Sequence, residues 1–257
     1  MKTLGSFLLL LAVAVATTSV FAANNTAVPE KGQFISLKEN DGREVRAFVA
    51  GPADAKAAVL VVHDYLGISD ATEQSVERLG HMVYRAVAID LYGGKSTTNH
   101  EEAVKLMESL DRKAAAATLQ VGLDYLKQPG RKLATIGFSM GGQEALNANL
   151  NDPDAVSATV MVYGFGFDTV DTQRLQKLEG PVLVISGAKD NGATDAAIHF
   201  LSNMKPANRA CELFVYPGVD HGYAQPLFNG GKNYSPAAIR ATWVVVDDFL
   251  ARQLLGQ

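Results

Sequence analysis

The sequence Gly137-Phe138-Ser139-Met140-Gly141 holds one serine at Gly-x-Ser-x-Gly spacing. An apolar, β-branched run over residues 133–136 leads into it and the helix formers Gln143-Glu144-Ala145-Leu146 follow, so the local pattern is strand, tight turn, helix. A turn that swings from strand to helix within a few residues crowds its neighbours, and Gly137, Gly141 and Gly142 lack the Cβ that would clash. Such a nucleophile elbow projects Ser139 exposed at the sheet edge. Its hydroxyl then lies near the free N–H groups and positive dipole end of the following helix, where negative charge developing on a substrate is favoured. A glycine-rich turn with an ordinary serine has the same pattern, so the chemistry depends on partners elsewhere in the chain.

A serine hydroxyl is a poor nucleophile until a base takes its proton, and the base needs an acid to orient it. On an elbow of this kind the order is Ser, then Asp or Glu, then His, in loops at the carboxyl ends of later strands. Of the five histidines, His63 and His81 precede the serine, His100 lies near a helix start and His199 falls within a helical stretch. His221 alone follows a late strand in a turn-rich loop, Tyr216-Pro217-Gly218-Val219-Asp220-His221-Gly222, and is the expected base. Asp190 follows the strand over residues 182–186 and is the expected acid. Asp168 is the runner-up, Asp195 sits in the next helix, and Asp220 is weaker because adjacent loop residues rarely point at one another. The oxyanion hole is expected from the backbone N–H of Met140 and a second N–H in the loop His63-Asp64-Tyr65-Leu66-Gly67, with Tyr65 the best candidate. Each such donor contributes about 3 to 4 kcal/mol in the transition state.

The elements that must position these residues read as one α/β domain over residues 23–257. Alternating runs over residues 33–37 and 44–49 flank Asp41-Gly42 and predict a β-hairpin. The continuous apolar run over residues 57–62 predicts a strand buried on both faces. Helices are expected over 72–85, 99–110, 113–127, 193–204 and 235–255, and strands over 86–90, 158–163, 182–186 and 211–216. Strand and helix alternate, which implies a mostly parallel sheet with helices on both faces. Between the strands at 160 and 182 there is room only for a short connection, too little for a large lid, so an open site suited to a small or exposed substrate is expected.

Residues 1–22 read as a secretory signal peptide. Lys2 precedes an apolar run over 7–16, shorter than the roughly 20 residues that span a bilayer, and Val20-Phe21-Ala22 has small residues where cleavage would follow. The chain is therefore expected to be exported, periplasmic or secreted, without stable membrane insertion afterwards. Formal charge is −4 with no basic cluster, which argues against nucleic acid, and no CxxC or His-x-x-x-His pair calls for a metal. The single thiol, Cys211, lies in a strand-like run and reads as a buried, inert side chain.

Taken together, Val62-His63-Asp64-Tyr65-Leu66-Gly67, Asp90-Leu91-Tyr92-Gly93-Gly94, the elbow, Asp190, and Tyr216-Pro217-Gly218 leading to His221-Gly222-Tyr223 resemble the dienelactone hydrolase family of α/β-hydrolases. The resemblance implies the α/β-hydrolase fold, a Ser139–Asp190–His221 triad, an oxyanion hole from Tyr65 and Met140, a substrate pocket bordered by Asp64 and Tyr92, and ester or lactone hydrolysis without metal or cofactor. Three departures stand out. Serine occupies the position where family members acting on dienelactone carry cysteine, Asp64 stands where a glutamate is usual, and Gly94 and Gln225 fall where carboxylate-binding arginines align, leaving Lys95 as a substitute cation. The expected function is thus an exported serine hydrolase of small esters or lactones, acting through an acyl-enzyme on Ser139. An amide or acyl-peptide hydrolase on the same triad and an inactive ligand-binding member are the alternatives.

Overall fold

In the computed structural model, residues 31–257 except residue 168 are described. The signal peptide, the export it implies and Asp168 as alternative acid lie outside the described residues. The Asp41-Gly42 turn joins β1 (Gln33–Lys38) to β2 (Glu44–Ala50) as an antiparallel hairpin, with Gly42 at φ +89°. After this hairpin the chain alternates: β3 (Ala57–Val62), α1 (Asp70–His81), β4 (Arg85–Ile89), α2 (His100–Glu108), α3 (Arg112–Leu126), β5 (Lys132–Phe138), α4 (Met140–Asn151), β6 (Ala158–Val162), α5 (Thr172–Leu175), β7 (Val182–Gly187), α6 (Asn191–Met204), β8 (Cys211–Tyr216) and α7 (Pro236–Leu250).

These strands form one eight-stranded sheet in the order β1-β2-β4-β3-β5-β6-β7-β8, parallel from β4 to β8, as the alternation predicts. The inner strands β3 to β7 are buried on both faces because alternate side chains serve two layers. Val59, Val61, Ile136, Phe138 and Val160 pack with α1 and α7, while Ala58, Leu60 and Val62 pack with Leu119 and Leu123 of α3. The connection from β3 leads to β4 on one side and the connection from β4 passes back over β3 to β5 on the other, so the carboxyl ends of β3 and β5 border a switch point where an open sheet binds its ligand. Val62 pairs with Gly137 there, which sets the loop after β3 directly beside the elbow.

Several expected boundaries shift, each for a local reason. The α1 helix stops at His81 and not at residue 85: Val83 takes the left-handed φ of +83°, and the Tyr84 N–H turns back to donate to Leu79 O at 3.2 Å. The closing helix ends at Leu250 and continues as a wider π turn over Ala251–Leu255, stopped by Gly256 at φ +71°. Asp190 and not residue 192 caps α6, its Oδ1 accepting from the Ala193 N–H at 3.2 Å. Cys211 is half-buried, because β8 is an edge strand. Among the described residues of the connection from β6 to β7, α5 is the sole helix, a single turn, and no lid is built from it.

Candidate active site

Ser139 sits between β5 and α4 with φ 56° and ψ −123°, a conformation that L-residues avoid and that functional sites hold under strain. Its N–H donates to Val162 O at 3.0 Å and its carbonyl accepts from the Gly142 N–H at 2.9 Å, so both ends of the turn are pinned. The glycines are required by close backbone approach. A Cβ on Gly137 would lie 1.8 Å from Gly141 O, and one on Gly141 would lie 2.4 Å from His63 O. The start of α4 therefore rests directly on the end of β3. Ser139 is only 6% exposed, which corrects the expectation of an exposed serine: the loops after β3 and β8 close around the elbow.

The structure brings Ser139, His221 and Asp190 together from three separate loops at the carboxyl edge. Ser139 Oγ is 2.9 Å from His221 Nε2, and His221 Nδ1 is 2.6 Å from Asp190 Oδ2. A carboxylate only accepts, so Nδ1 carries the proton and leaves Nε2 to accept from the serine hydroxyl. The histidine loop is held on every side. His221 N–H donates to Asp220 Oδ1 at 2.7 Å, Asn233 Nδ2 donates to His221 O at 2.8 Å, and the Tyr163, Phe228 and Phe165 rings stand 5.3, 5.2 and 6.1 Å from the imidazole. Asp220 thus fixes backbone. Asp195 and His199 are exposed on α6, away from the triad's hydrogen bonds.

In the loop after β3, Asp64 arranges the backbone. Asp64 Oδ1 accepts from the Leu66 N–H at 2.9 Å and Asp64 O accepts from the Gly67 N–H at 3.3 Å. Among the described residues, neither the Tyr65 N–H nor the Met140 N–H has a partner, although both residues are buried. Buried amides rarely go unpaired, and these two belong to the loop after β3 and the start of α4, the two segments that the close approach of Gly141 to His63 O brings together. The Met140 amide is free because it opens α4.

Asp64 itself is buried, and burial pushes its carboxyl above the ordinary carboxylate range, opposed by hydrogen bonds from Gln225 Nε2 at 2.8 Å and from Leu66. Gln225 lies 161 residues away in sequence, and this pairing is not readable from local pattern. Asp64, Gln225, Phe138 and Tyr163 form the inner wall of a cavity of about 660 Å³ between α1 and α7, whose outer wall includes Trp243 and Arg240. Tyr92 is placed differently. Its hydroxyl donates to Met140 Sδ at 3.1 Å and its ring lies 4.9 Å from His63, so it packs beneath the first residue of α4. Lys95 is exposed.

Comparison with known proteins identifies a family and a fold. The sequence model of the dienelactone hydrolase family matches residues 45–254. A protein of Saccharolobus solfataricus, provisionally named a carboxymethylenebutenolidase, is 26% identical over 255 residues, covering 83% of this chain and 96% of its own. The carboxymethylenebutenolidase of Pseudomonas putida is 25% identical over 209 residues, covering 76% and 87%. Among solved structures, a dienelactone hydrolase-like promiscuous phosphotriesterase from metagenomic libraries superposes with a TM-score of 0.76 at 18% identity, covering 88% of this chain and all of that one, and shares the fold.

Proposed function

The chain belongs to the dienelactone hydrolase family of ester and lactone hydrolases, and from that premise we propose that it is a serine hydrolase of small esters or lactones that works through an acyl-enzyme on Ser139. The observation that carries this reading is the hydrogen-bonded line Ser139–His221–Asp190, at 2.9 and 2.6 Å. As Ser139 Oγ attacks the substrate carbonyl, His221 Nε2 takes its proton and Asp190 stabilises the imidazolium that forms. The Met140 and Tyr65 amides receive the negative charge on the carbonyl oxygen. His221 then returns the proton to the leaving alcohol. Water enters, loses a proton to the same nitrogen and attacks the acyl carbon; as the bond to Ser139 Oγ breaks, His221 returns that proton to the serine and the acid leaves.

Serine at this position changes the resting state. A hydroxyl does not rest as an anion near neutral pH, so each attack depends on His221. The Asp64 carboxyl near the elbow is buried and held by a neutral amide and not by a cation, which favours uncharged substrates over anionic ones. A fluorophosphonate probe followed by peptide mapping tests the assignment. Labelling at Ser139 that disappears in His221→Ala is expected, and folded protein that stays unlabelled would sink it.

A further inference from the structure

His63 lies next to the site, is completely buried and takes no part in the proton transfers described above. Both of its ring nitrogens are nevertheless used. Nδ1 is 2.6 Å from the backbone carbonyl of Asp64, and Nε2 is 3.1 Å from the backbone N–H of Leu91, just past β4. Leu91 N–H can only donate and Asp64 O can only accept, so the ring is the neutral Nδ1–H tautomer, donating to Asp64 and accepting from Leu91. The Tyr92 ring packs against it.

The Asp64 carbonyl and the Tyr65 N–H belong to one planar trans peptide unit and point in opposite directions. Whatever fixes that carbonyl fixes the direction of the Tyr65 amide. The second bond to the same oxygen, from the Gly67 N–H, is longer at 3.3 Å. Resting on the proposed serine mechanism, we infer that His63 is a positioning residue: by holding the Asp64 carbonyl it aims the unpaired Tyr65 N–H at the substrate oxyanion, with Leu91 selecting the tautomer that allows this. The carboxyl end of β4 is thereby coupled to the oxyanion hole without touching substrate.

Two substitutions separate the two hydrogen bonds. His63→Asn places an N–H where Nδ1 stands and keeps the tether to Asp64. His63→Gln places its amide near the Nε2 position, keeping a partner for Leu91 but losing the tether. The tests are kcat and KM on a neutral p-nitrophenyl ester, with fluorophosphonate titration counting competent sites, and thermal unfolding. His63→Gln is expected to lose about tenfold to a hundredfold in kcat per competent site, with KM changed less than about threefold, since losing one oxyanion donor outright costs about a hundredfold or more. His63→Asn is expected to recover most of that loss. Equal losses in both variants, or wild-type kcat in His63→Gln, overturn the inference. Independently of variant folding, 15N NMR of the wild-type imidazoles is expected to show His63 as the Nδ1–H tautomer, and the Nε2–H tautomer contradicts the inference. Turnover that survives Ser139→Ala removes the serine mechanism and this inference with it, whereas turnover lost in Ser139→Ala but indifferent to His63 removes this inference alone.

Discussion

Asp190 meets His221 with 2.6 Å between Oδ2 and Nδ1 while its other oxygen, Oδ1, caps α6 on the Ala193 N–H at 3.2 Å. One carboxylate thus serves both the histidine and the helix that anchors its loop. The helix cap holds the carboxylate plane, and the plane presents Oδ2 to the imidazole. Function and stability separate at this residue, because asparagine caps a helix as well as aspartate but does not enforce the Nδ1–H tautomer.

Asp190→Asn is therefore expected to lose about four decades in kcat while stability stays within about 0.5 kcal/mol. Asp190→Ala is expected to lose comparable activity and a further ~1 kcal/mol from the missing cap. Ester turnover and urea unfolding of the two variants provide the check. Equal stability losses would show that Oδ1 is not a working cap.

Asp64 gives a prediction on pH. Burial raises its carboxyl above the ordinary value of 3.8. The folded chain then holds the proton more tightly than the unfolded chain does, so this group costs nothing below the ordinary value, and stability falls as pH rises from there through the raised folded value. Asp64→Asn cannot ionise and keeps an acceptor for Leu66. Urea unfolding across a pH series is expected to show the wild type losing ground to the variant from about pH 4 upward, then a constant gap. Parallel curves throughout would mean that Asp64 carries no ionisation penalty.

Cys211 should be a spectator. It opens β8 at the end of the sheet opposite the triad, paired with Val182, and burial pushes its thiol up to about 12. Little thiolate exists near neutral pH, so iodoacetamide is expected to leave ester turnover unchanged over an interval that inactivates a cysteine hydrolase. Activity that falls in step with alkylation would place a thiol in the mechanism.

The parts legible in the sequence are those that local pattern encodes. Period and glycine placement locate the strands around Val59, Ile136 and Leu183, and the order Ser139, Asp190, His221 follows from a chain that returns to the same sheet edge after each helix. Helix ends are less legible: the stop at Val83 depends on a left-handed β-branched residue that propensity argues against. The contacts that tune the site are the least legible. Gln225 on Asp64, Tyr92 beneath Met140 and Leu91 on His63 join segments far apart in sequence through side chains with no periodic signature. The same holds for the burial of Ser139, which comes from loops closing over the elbow and not from the elbow itself.

Steady-state turnover of a neutral p-nitrophenyl ester by folded Ser139→Ala tests the central claim most directly. With Ser139 as the acylated nucleophile, kcat is expected to fall by about four to six decades. A variant that keeps its fold and turns over within about tenfold of the wild type would contradict the serine mechanism.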